Sequence, residues 1–167
     1  MGCLGVHFAL SEQDVDGLRA HDDEEDRLSF LTDQIERTYF QHHKAYVGQS
    51  DKAWDAIHRA LADGRLTWDG GSYPLNHTVL AGEILYTGDD YIMSLKTPPQ
   101  VRDVAAALER ITLDDFRRRY FAIDKASYQG TLDEEDFQYT WSWFGNVRDL
   151  YRLAAKEGRY VLFTADQ

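Results

Sequence analysis

One cysteine, Cys3, stands among the 167 residues, so no disulfide can form within the chain, and a reducing cytoplasm is the expected setting. Basic residues are also scarce. The chain has 18 lysines and arginines against 29 aspartates and glutamates, a net charge of −11. Nucleic-acid binding draws on a basic patch that neutralises phosphates. The one local cluster, Arg117-Arg118-Arg119 with Arg102 and Arg110 upstream, would point in three directions on a helix and make no stripe. Neither nucleic acid nor an anionic membrane is therefore an expected partner. No apolar stretch approaches the roughly 20 residues that a membrane-spanning helix needs. The start MGCLGVHFAL has no basic n-region and no small-residue cleavage site, so a leader peptide is not expected. Val6 stands where the N-terminal acylation pattern asks for Ser or Thr.

The usual chemical signatures are missing too. There is no Cys-x-x-Cys, and no histidine pair has the i, i+4 spacing that puts two ligands on one helix face. His42 and His43 are adjacent, so their rings diverge. Neither a metal nor another cofactor is expected. No G-x-S-x-G, Walker loop or G-x-G-x-x-G occurs, and Asp69-Gly70-Gly71-Ser72 is too short to cradle a phosphate.

Hydrophobic and aromatic residues are plentiful, at 43% and 13% of the chain, which is enough for one packed core in a domain spanning 1–167. Residues 4–10 and 160–163 read as strands, and so does Tyr91–Leu95. Ser11 with Asp14 caps a short helix from Glu12 to Leu18. The acidic run HDDEED at 21–26 suits a solvated helix start, and Leu28, Leu31, Ile35 and Tyr39 continue that helix to about Phe40. Asp51 reads as the N-cap, and Gly64 as the stop, of a helix with Ala53, Trp54, Ile57, Ala60 and Leu61 on one face. Residues 65–90 read as a long loop with short strands near Thr78–Leu80 and Ile84–Tyr86. Pro98-Pro99 opens a helix with a buried stripe of Val101, Val104, Ala105 and Leu108. Thr112 with Asp115 caps the next. Thr131 with Glu134 starts a long helix ended by Gly158, in which Gly145 allows a close approach or a kink. Along it Trp141 and Trp143 are two apart and face different ways.

Five segments taken in order resemble the YfbM-like family of uncharacterised bacterial proteins: MGCLGVHFAL, SDKAWDAIHRAL, the loop ending in VLAGE, MSLKTPPQVRDVAAAL and LYRLAAKEGRYVLF. The resemblance implies an α+β fold, a single domain with several helices packed on a small, mostly antiparallel or mixed sheet. It implies no activity.

Candidate site residues follow from side-chain chemistry. Trp54 and His58 share a helix face, where Trp can stack a ligand and His can act as acid or base. Tyr73 offers a second wall. His77 and Glu83 bracket the glycine-rich loop, and a carboxylate beside an imidazole can move protons. Against this, a core Trp, a backbone-bonded His and an ion-paired Glu account for the same residues. The charge and the lack of a catalytic motif favour a non-catalytic, cytoplasmic interaction protein whose acidic surface holds a basic protein partner, as an immunity protein does. The alternative is an enzyme with a small-molecule pocket near His58 and Glu83.

Overall fold

The computed structural model describes residues 3–167. Five strands, β1 (Gly5–Leu10), β2 (Val47–Asp51), β3 (Glu83–Ile84), β4 (Tyr91–Lys96) and β5 (Tyr160–Asp166), form one sheet in the order β2-β1-β5-β4-β3. Every neighbouring pair is antiparallel. The expected α+β class is the one found, with helices packed against an antiparallel sheet.

Side chains alternate along each strand and feed two separate cores. Ala9, Ile92, Val161 and Phe163 enter one core. Phe8, Leu10, Met93, Leu95 and Leu162 enter the other. The first core is completed by α4 (Trp54–Leu61), α5 (Pro98–Glu109), α6 (Leu113–Phe121) and α7 (Glu134–Glu157). The second is completed by α1 (Glu12–Arg19) and by a helical rod made of α2 (Glu24–Phe30), a π-helical stretch Leu31–Glu36 and α3 (Arg37–His42). The sheet is thus covered on both faces. The largest aromatic grouping sits between α6 and α7, where Phe116 stacks on Phe144 at 4.6 Å and meets Trp141 at 5.4 Å.

Most helix signals act as their chemistry requires. Ser11 Oγ accepts from Asp14 N, and Thr112 forms a reciprocal box with Asp115. Asp23 accepts from Glu25 N and Asp26 N, so the acidic run at 21–26 does begin a helix. The buried stripe of α5 is the one its periodicity gives. Gly158 closes α7 in the left-handed conformation at φ 68°, which favours glycine.

Other expectations need correction. Asp51 is not an N-cap: it ends β2, at φ 49°, and Ala53 takes the cap position of α4. β2 is invisible in the hydrophobic pattern, because VGQSD has a single apolar side chain larger than glycine. Its place is set by packing, since a Cβ at Gly48 would lie 3.0 Å from Leu150 on α7. Asp133, rather than Thr131, caps α7 through Asp136 N. Thr78–Leu80 is not a strand, and the short edge strand is Glu83–Ile84. Nothing lies within 4 Å of a Cβ built on Gly145, and α7 runs unbroken through it, so no close approach occurs there.

Candidate functional site

A 3-10 turn, Leu75–His77, leads into residues 78–81, which lie in no strand or helix that would bond their carbonyls, and buried carbonyls need donors. Side chains supply them. His7 Nε2 lies 2.8 Å from Thr78 O. The Tyr151 hydroxyl sits 2.8 Å from Thr78 O and 3.0 Å from His77 O, so its proton is shared. Ser94 Oγ donates to Leu80 O at 2.7 Å. Lys96 Nζ donates to Val79 O, and to Ser94 Oγ at 3.0 Å. His7, Ser94, Lys96 and Tyr151 are all fully buried. Burial pushes the Lys96 ammonium well below its ordinary value. Burial, with Lys96 nearby, takes His7 down to about 3. An imidazole nitrogen facing a carbonyl must carry the proton, so His7 is the neutral Nε2–H tautomer, and its Nδ1 has no partner among the described residues.

The residues singled out in the sequence fall around this floor, not in one cleft. His58 is buried beneath the loop after α4, with Nε2 2.8 Å from Thr67 O. Its burial lowers it to about 4. Its Nδ1 likewise lacks a partner among the described residues. Tyr73 is half exposed, donates to Asp103 at 2.6 Å and meets His77 edge-on at 4.9 Å. The His77 ring bonds no carboxylate; its Nδ1 lies 2.7 Å from the Asn76 side-chain oxygen. Burial lowers His77 as well. Glu83 is on the surface, 2.6 Å from Arg19 in an ion pair. Tyr73 and His77 are therefore together, while His58 and Glu83 have separate partners.

Trp54 has a different position. Its indole N–H donates to Cys3 O at 2.9 Å, its ring packs 5.5 Å from Phe163, and it walls two surface clefts. The first, about 490 Å³, is lined by Trp54, Leu66, Trp68, Ile84, Tyr86 and Asp89 among others, with no lysine or arginine. Leu66, Trp68 and Ile84 are all exposed there. The Tyr86 hydroxyl lies 2.9 Å from Asp90 Oδ1 and 3.0 Å from Glu25 Oε1, which share its one proton, and hydrogen bonding to these carboxylates raises its pKa. Thr87 bonds Glu24 beside it. Trp68 and Tyr86 are not among the residues that the sequence singles out. Trp68 is exposed, whereas Tyr86 is buried in the second core and shows only an edge to the cleft, and nothing in the sequence separates the two.

Among the described residues, no group of three or more His, Cys, Asp or Glu could hold a metal ion, and no helix is long and apolar enough to cross a membrane.

Comparison with known proteins agrees with this architecture. Residues 1–164 match the family model described as Domain of unknown function (DUF1877). The fold is similar to the crystal structure of YfbM, a protein of unknown function from Escherichia coli, with a TM-score of 0.64 at 19% identity over 97% of this chain and 99% of that one. No curated protein matches the sequence. The chain belongs to the DUF1877 family, whose function is unknown, and the YfbM-like resemblance of its segments extends to its architecture.

Proposed function

We propose that this chain is a non-catalytic, cytoplasmic binding protein that engages a basic protein partner at the cleft between Trp68 and Tyr86. One observation carries the reading. The exposed apolar side chains Leu66, Trp68 and Ile84 converge on a single cleft that has an aspartate and no basic residue in its wall. Exposed apolar patches mark contact surfaces. Aromatic faces attract cations, and a lysine or arginine side chain brings an apolar stem together with a cationic head. Glu24, Glu25, Asp89 and Asp90 give the cleft an acidic margin. The overall charge of −11 would speed encounter with a basic protein. A basic toxin held by its immunity protein is one such pairing. The enzyme alternative at His58 and Glu83 finds less support, because one is sealed beneath a loop and the other is held by Arg19.

The test uses two ten-residue peptides, one alternating Lys with Leu and one alternating Glu with Leu. The lysine peptide should bind, with affinity falling as salt rises, and Trp68→Ala should weaken it at least tenfold. Equal binding of the two peptides, or an unchanged affinity in Trp68→Ala, rejects the reading.

A further inference from the structure

On the other side of Trp54 lies a second cleft of about 470 Å³, between the start of α4, the first two turns of α7 and the loop at Tyr128–Gly130. Two carboxylates reach it. Asp136 uses Oδ2 for the hydroxyls of Tyr120 and Tyr128, the latter at 2.7 Å, and its Oδ1 takes no donor from the described residues. Asp55 uses Oδ1 for Arg59 Nε at 2.5 Å, and its Oδ2 is similarly free. Both carboxylates are thus held in place by one oxygen and leave the other for a ligand.

The second, independent feature is Thr140. It lines the same cleft, is fully buried, and its Oγ1 has no hydrogen-bond partner among the described residues. A threonine inside a helix ordinarily bonds the carbonyl four residues back or reaches water. This one does neither, although it lies one turn from Asp136 on the same face of α7. A buried, unpartnered hydroxyl beside two half-used carboxylates is an incomplete hydrogen-bond set. The cleft already accommodates an internal cation at its edge: the Arg59 guanidinium lies 5.5 Å from the centre of the Tyr128 ring. Lys52, also in the wall, makes no ion pair among the described residues.

We infer that this cleft binds the primary ammonium group of a small alkylamine, through Asp55, Asp136 and Thr140. A primary ammonium carries three N–H donors and no acceptor. Asp55, Asp136 and Thr140 line one cleft and offer one acceptor for each donor, and Trp54, Tyr128 and Tyr139 present apolar and π surface for the alkyl stem. A guanidinium is planar and fork-shaped, and the carboxylate best placed to take it is already engaged by Arg59. This site is separate from the one proposed for a basic partner, and Trp68→Ala should leave it unaffected.

Calorimetric titration of the folded chain with n-butylammonium chloride at low salt tests the inference. Nα-acetyl-lysine methylamide serves as a second arm that presents the same group on a peptide unit, and tetramethylammonium as a cation without N–H. Either primary ammonium should bind, and tetramethylammonium should bind at least tenfold more weakly. Thr140→Val, which keeps the shape and removes the hydroxyl, should weaken binding about tenfold while its melting temperature does not fall. Asp55→Asn should weaken binding by a similar factor, and Lys52→Gln should strengthen it by removing a like charge. Binding of neither primary ammonium, an unchanged affinity in Thr140→Val, or equal affinity for tetramethylammonium would overturn the inference. Binding seen only in Lys52→Gln would also overturn it, because the cleft would then serve the chain's own lysine.

Discussion

The floor beneath segment 77–81 and the cleft at Trp68 use opposite materials. The floor has histidine, lysine and tyrosine, the residues of acid–base chemistry, yet all are dry and each is bonded to a loop carbonyl. The cleft has leucine, isoleucine and tryptophan, the residues of a core, yet they face water. Reactive side chains placed inside thus act as fasteners, and inert ones placed outside form the contact surface proposed above. Side-chain type alone assigns the two roles the wrong way round, and accessibility reverses them.

The sharpest way to break the floor is acid. His7 and His58 sit near 3 and 4 in the folded chain, below their ordinary 6.5. The unfolded chain therefore takes up protons first as pH falls. Their contribution is fully present above pH 6.5 and is lost as pH drops toward 4 and then 3. Each pH unit separating the folded and unfolded titrations is worth about 1.4 kcal/mol, so the loss between pH 7 and pH 4 should be on the order of 5 kcal/mol from both residues together. Urea unfolding at a series of pH values measures it. A stability that stays level down to pH 4 contradicts the burial of these two histidines in their neutral form.

A smaller effect is expected when one fastener is cut. Tyr151→Phe keeps the ring and deletes the hydroxyl that serves His77 O and Thr78 O. It should cost about 1–2 kcal/mol. Hydrogen exchange should rise in residues 77–81 ahead of the rest of the chain, and uniform change along the chain would show that the segment is not separately pinned.

On the cleft side the effects on stability should be smaller still. Trp68 is 43% exposed, so Trp68→Ala should shift stability by less than about 1 kcal/mol while changing peptide binding. The same unfolding experiment checks it, and a loss as large as that of a core aromatic would mean Trp68 is a packing residue. Glu83→Gln breaks the Arg19 pair, in which both side chains are more than one-third exposed, and should cost no more than about 0.5 kcal/mol. A larger loss, or one insensitive to salt, would place that pair in the framework of the fold.

The helices and central strands are legible in the sequence wherever a period or a cap is present. The stripe on α5, the cap at Ser11, the box at Thr112 and the glycine stop at Gly158 need no tertiary information. Legibility fails where tertiary packing supplies the reason. β2 has almost no apolar period of its own and is held by β1 and α7. β4 reads as a strand, and its alternation puts Tyr91, Met93 and Leu95 on one face and Ile92, Ser94 and Lys96 on the other, where a lysine gives no sign of burial. Both faces of the sheet are covered, however, and the irregular segment above that second face needs donors, so Lys96 is buried. Of the candidate site, Trp54 is legible as a helix-face aromatic. The convergence of residues 66–68 with 84–92 is not, since loop geometry has no sequence period.

The π-helical stretch at Leu31–Glu36 has a consequence for the rod that contains it. Such a stretch holds one residue more than an α-helix of the same turn, and each residue is worth about 100° of rotation. Everything after it is therefore set in angular phase by that single extra residue. In the present phase the Tyr39 hydroxyl reaches Asp14 at 2.6 Å, and the Tyr91 hydroxyl reaches Glu36 at 2.7 Å. Removing one residue from the stretch would swing the second half of the rod by more than a quarter turn, carry Tyr39 off Phe8 and expose it. The rod thus behaves as a key cut in two halves, and the π turn fixes the angle between the cuts.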